Sequence, residues 1–175
     1  MKLYMIQIGF RLEGMNTEGH DTVFSIASSK EEAFKLIKAA RPYAQHIDTC
    51  LEVNEVDGYE VCVTHSPAPM PTELKLWFMN LGAYREGQFG EVHKCILLTA
   101  PDLPSAKAKA KQDPFFTEPG RVLDPIAAPH IDDKHALDEG IDDVLCVSET
   151  MKGIELKPSA TPKENVLTIA YIPLK

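Results

Sequence analysis

The sequence predicts an α+β protein: two tandem ββαββ repeats with mainly antiparallel sheet, related by a pseudo-two-fold axis, plus a C-terminal strand. Three observations lead there. Residues 2–27, KLYMIQIGFRLEGMNTEGHDTVFSIA, align without a gap with residues 75–100, KLWFMNLGAYREGQFGEVHKCILLTA, at an offset of 73. A second block, HIDTCLEVNEVDGYEVCV at 46–63, aligns with HIDDKHALDEGIDDVLCV at 130–147. Within each copy, short β-rich runs flank one helix-forming segment, and such runs pair most simply as antiparallel strands.

Each copy opens with a strand. Tyr4, Ile6 and Ile8 alternate with Leu3, Met5 and Gln7, and Trp77, Met79 and Leu81 alternate with Leu76, Phe78 and Asn80. Both faces are largely apolar, which places this strand inside its sheet rather than at an edge. Loops from Gly9 to Gly14 and from Gly82 to Gly87 follow, and their glycines are read as turn residues needing φ > 0. Second strands cover Glu18 to Ala27 and Glu91 to Ala100. A helix comes next in the first copy. Ser29 and Glu32 have capping-box spacing, Ala33, Phe34, Ile37 and Ala40 make its apolar stripe, and Pro42 ends it. Its counterpart is SAKAKAKQDP, stopped by Pro114. LEVNEV, Asp57-Gly58 and YEVCV read as a closing hairpin.

The organisation follows: residues 1–64 as repeat 1, 65–74 as a Pro-rich linker, 75–148 as repeat 2 with a Pro-rich insertion at 113–129, and 149–175 as a C-terminal extension carrying a strand over Val166 to Ile172. Phe115 and Phe116 in the insertion are expected to pack on something. A lone repeat of about 70 residues buries a thin core, so the halves are expected to pack together.

Charge and composition exclude some classes of function. The net charge is −8, and both halves are acidic, with 6 basic and 11 acidic side chains in 1–74 against 12 and 15 in 75–175. Neither half offers a footprint for nucleic acid or anionic lipid. No apolar run reaches the roughly 20 residues of a spanning helix, and the start of the chain does not read as an export signal. Four widely spaced cysteines without a CxxC are then expected to be reduced thiols in the cytoplasm, with Cys62 and Cys146 at equivalent positions.

The string K-L-Y/W-M/F-x-x-I/L-G, then E-x-H, then H-I-D ahead of V-D-G-Y resembles a small bacterial family. That family is a domain of unknown function, number fifteen forty-three, carried in one or two copies per chain. The resemblance covers residues 1–63 and 75–147, and it implies no activity. The second copy carries Gly-Ile-Asp-Asp where the first has V-D-G-Y.

Chemistry is confined to polar residues that both halves keep. Glu18 and His20 are matched by Glu91 and His93, and at i, i+2 on a strand they point the same way. His46 and Asp48 are matched by His130 and Asp132. Gln7 and Asn80 put a carboxamide on an otherwise apolar strand. These ten residues are the candidate ligand-binding set. One reading is a non-catalytic module that binds a small molecule or a protein, with self-association left open and no metal or cofactor assigned. The other is a metal-dependent or acid–base enzyme, because two imidazoles with two carboxylates suit Zn²⁺, Mn²⁺ or Fe²⁺ and also suit proton transfer. The plain structural alternative is a histidine held by a carboxylate to satisfy a buried polar group. No nucleophile motif, phosphate loop or calcium loop is present, and the acidic run from Asp132 to Asp143 reads as a solvated face.

Overall fold

A computed structural model describes residues 1–64, 73–117, 121–122 and 140–174. The chain is α+β, mostly antiparallel sheet with few helices, and it divides into two compact units, Met1–Thr72 with Met151–Lys175, and Glu73–Thr150. No helix among the described residues is long and apolar enough to cross a membrane.

In the first unit, β1 (Lys2–Phe10) is flanked by β2 (Gly19–Ala27) and β3 (His46–Val53), all antiparallel. The two-sided apolarity of β1 has its cause in that interior position. Tyr4, Ile6 and Ile8 turn to one face, where α1 (Lys30–Ala40) covers them with Ala33, Phe34 and Ile37. Ala40, expected in the same stripe, is exposed. Ser29 caps α1 by accepting from the Glu32 N–H. Glu32 reaches back one residue further than a capping box requires and accepts from the backbone N–H of Ser28 at 2.7 Å.

After β3 come β4 (Glu55–Val56) and β5 (Tyr59–Val63), joined by Asp57 and Gly58 at φ of 54° and 81°. Two successive positive φ values make the tight turn that the Asp-Gly pair favours.

The second unit begins with β6 (Lys75–Arg85) and β7 (Glu91–Ala100). This hairpin repeats the β1–β2 register at an offset of 73: Lys2 faces Ala27 and Lys75 faces Ala100, while Gly9 faces His20 and Gly82 faces His93. Then come α2 (Leu103–Ala110), capped by Asp102, a 3₁₀ turn at Pro114–Phe116, β8 (Arg121–Val122), β9 (Ile141–Cys146) and α3 (Val147–Thr150). Phe115 packs in the core of this unit with Trp77, Met79, Leu81 and Ala106, and Arg85 lies over its ring, 5.1 Å from the centroid. The element order departs from ββαββ here, because α3 rather than a hairpin follows β9.

The C-terminal segment rejoins the first unit. There β10 (Ile154–Pro158) pairs with β5, and β11 (Val166–Pro173) pairs with β3. All four cysteines are free. Most of the expected linker, at 65–72, and much of the insertion, at 123–129, lie outside the described residues.

Two sequence expectations need correction. Gly9 and Gly82 are not turn residues: they lie inside β1 and β6, and only Gly14 and Gly87 take positive φ, at 86° and 76°. The second block also has a different partner. The strand beside β6 that occupies the place of β3 is Ile141–Cys146, so Ile141, Asp142 and Asp143 take the places of Ile47, Asp48 and Thr49. His46 therefore corresponds to Gly140, and Cys62 has no equivalence with Cys146. His130 and Asp132 lie outside the described residues.

Candidate functional site

The candidate residues of the first unit meet at one end of its sheet. Gly9 sits between His20 on β2 and His46 on β3, each directly opposite it across a strand pair. By strand alternation Gly9 faces away from α1, so both imidazoles rise on that opposite face. A Cβ on Gly9 would overlap the His46 ring well inside van der Waals contact. The glycine is there for close approach, not for a backbone angle.

Asp48 joins them through a β-bulge. Opposite the Gln7–Ile8 step of β1, the partner residues jump from Thr49 to Ile47, and Asp48 is the extra residue. Bulges re-aim a side chain and sharpen the local twist. The bulge also explains the apolar spacing of β3. Ile47 and Cys50 are three apart, yet both are buried in the core beside α1. Glu18 completes the set from the residue just ahead of β2.

The four side chains form a ring. His20 Nε2 lies 3.2 Å from Glu18 Oε1 and 3.4 Å from Asp48 Oδ2. His46 Nε2 lies 3.2 Å from the same Glu18 oxygen and 3.3 Å from Asp48 Oδ1. One ligand atom from each of the four lies within 4.8 Å of every other. Exposure is graded across the ring: His46 is 1% exposed, Asp48 26%, Glu18 35% and His20 44%. Both nitrogens of His46 and Asp48 Oδ2 are buried without a hydrogen bond. Tyr171 of β11 stacks on His46, with centroids 4.2 Å apart and the planes inclined at 30°. Tyr171 carries no sequence signal beyond its place in a C-terminal strand.

The second unit builds a smaller cluster over Gly82, which faces His93 across the β6–β7 pair. A Cβ on Gly82 would overlap the Asp142 carboxylate and come 2.6 Å from Glu91 Oε1. His93 Nδ1 is 2.9 Å from Asp142 Oδ2, and His93 Nε2 is 4.0 Å from Glu91 Oε2. Asp142 is again the extra residue of a bulge, opposite the Asn80–Leu81 step. Sequence reasoning placed Asp142 on a solvated acidic face. The available signal was the Ile141/Val144 spacing, which repeats Ile47/Cys50.

The two carboxamides stand apart from both clusters. Asn80 donates to Asp143 Oδ2 at 3.0 Å and accepts from Cys95 Sγ at 3.8 Å. Gln7 faces Thr22 and Thr49 across its two strand pairs, one alternation back from Gly9.

Residues 15–63 match the model of the Domain of Unknown Function (DUF1543) family, the family that the sequence motifs resemble. The matched stretch holds Glu18, His20, His46 and Asp48. No curated protein matches the chain. Among solved structures, the crystal structure of a protein Il1583 from Idiomarina loihiensis is similar over 99% of this chain and 98% of that one, with a TM-score of 0.66 and 24% identity. That likeness is one of fold.

Proposed function

We propose that the chain is a divalent transition-metal-binding protein, with its centre formed by Glu18, His20, His46 and Asp48. One observation carries the reading. His46 is buried, its Nε2 makes no hydrogen bond, and that nitrogen faces two carboxylate oxygens at 3.2 and 3.3 Å. A structural histidine in such a place would aim an N–H at one of those oxygens, because an unmade buried hydrogen bond costs about 1–3 kcal/mol. Lone pairs converging on a common point are what a cation requires instead. A tetrahedron with bonds of about 2.1 Å has edges of about 3.4 Å, close to the N···O separations of the ring.

Charge agrees with this. Among the described residues, no lysine or arginine pairs with Glu18 or Asp48. Two carboxylates with neutral imidazoles leave a charge of −2, which a divalent ion cancels. Two nitrogens and two oxygens suit Zn²⁺, Mn²⁺ or Fe²⁺ rather than calcium. The ion would be approached from the side of His20 and Glu18, where water or a substrate oxygen could reach it. Of the readings open from sequence, metal binding is the one that accounts for His46. The identical hairpin registers and matching bulges support internal duplication as the origin of the two units, and four free thiols support a cytoplasmic location.

The test is metal titration of chelator-stripped protein with Zn²⁺ and with Mn²⁺. Wild type should bind tightly at this centre, and His20→Ala should lose that binding while remaining folded, since His20 is half exposed. Unchanged stoichiometry and affinity in both His20→Ala and His46→Ala would overturn the proposal.

A further inference from the structure

We propose that Glu91, His93 and Asp142 form a second and weaker cation site, which favours manganese-like ions and keeps bound water. The inference extends the metal reading of the first unit to a different set of residues. It stands on its own geometry.

Three features point to an ion here. Asp142 Oδ2 is buried and accepts no hydrogen bond, although His93 Nδ1 is 2.9 Å away. One ligand atom from each of the three side chains lies within 4.8 Å of the others. Gly82 keeps the space beneath them clear, because a side chain there would meet both carboxylates.

The difference from the first unit sets the preference. Gly140 holds the place of His46, at φ of 81°, and a Cβ there would come 2.6 Å from Phe116 Cε1. The fourth corner is therefore closed to any side chain by both backbone and neighbour. Three ligands remain, two oxygen and one nitrogen. Oxygen-rich sets favour harder ions, and a three-ligand set leaves positions for water. The loss of one buried imidazole should weaken binding about tenfold or more relative to the first site.

Mn²⁺ itself is the probe. The full chain, stripped of metal, is titrated with Mn²⁺ while free ion is followed by electron paramagnetic resonance and bound water by proton relaxation. Wild type should bind two ions, the weaker one giving the larger relaxation enhancement per ion. His93→Ala should lose that weaker, water-rich ion and keep the other. His20→Ala should do the reverse. If His93→Ala and Asp142→Asn both bind as many ions as wild type with the same relaxation, the second site is refuted while the first stands. If instead only His20→Ala leaves binding unchanged, the first site fails and the second survives.

Discussion

The two carboxylate–histidine clusters are built on the same frame and finished differently. Each lies over a glycine in the central strand, takes a His from the second strand and a Glu from at or just ahead of its start, and takes an Asp from a bulge in the strand on the other side. The first adds a buried histidine under a tyrosine ring, and the second has Gly140 at that place. The frame is thus a property of backbone register, and the two clusters differ by one added side chain. A glycine with ordinary φ inside a strand is the clearest mark of the frame.

Gly9→Ala tests that frame most severely. Alanine suits a strand better by about 0.5–1 kcal/mol, but its methyl would displace the His46 ring at a steric cost of about 1–3 kcal/mol. Net destabilisation in denaturant unfolding and a loss of about 10- to 100-fold in metal affinity at the first site are expected. Gly82→Ala should do less, because the displaced groups are ends of carboxylate side chains that can swing away. Equal behaviour of the two variants would separate the glycines from the sites.

His46→Gly gives the first cluster the composition of the second. Zn²⁺ affinity should fall by about 10- to 100-fold and approach that of the second unit, with residual binding retained. The calorimetric titration should then show two similar weak sites. Retention of a tight Zn²⁺ site would mean that His46 is not a ligand.

Much of this was legible in the sequence. The offset of 73 gave the hairpin registers, and the E-x-H spacing placed Glu18 beside His20 and Glu91 beside His93 because alternation is strict in a regular strand. The bulges were not legible by the same rule, since they break alternation. Matching on the shared histidine therefore aligned His46 with His130, whereas strand register follows the core-packed Ile47/Cys50 and Ile141/Val144 pairs. Gly9 and Gly82 were misread because a sequence does not distinguish a glycine needed for its backbone angle from one needed for its missing side chain. Tyr171 reaches His46 only through a pairing more than a hundred residues apart in the chain.

A smaller effect sharpens the contrast in cover over the two sites. Tyr171→Ala removes the ring stacked on His46. Such a pair contributes about 0.5–1.5 kcal/mol, and Tyr171 is 69% exposed, so the low end is expected in thermal unfolding. Metal affinity should fall by only a few-fold, and a loss as large as that of His46→Gly would make Tyr171 part of the binding set.

The smallest change expected concerns Cys50, whose place is taken by Val144 in the other unit. Cys50→Val should cost less than about 1 kcal/mol. Burial pushes the Cys50 thiol up to about 11. It should therefore be alkylated more slowly than Cys62 or Cys95 at mildly alkaline pH, measured by mass spectrometry of the labelled peptides. Fast labelling of Cys50 in folded protein would contradict its place in the core.

The central claim is that an ion belongs between His20, His46, Glu18 and Asp48. Its most direct test is an anomalous difference map at the zinc edge, from crystals grown with Zn²⁺. The account predicts a strong peak about 2.1 Å from Nε2 of both histidines, with a carboxylate oxygen of Glu18 and of Asp48 at similar distance. A map without that peak, and with the His46 ring turned to donate a hydrogen bond to Glu18 or Asp48, would contradict it.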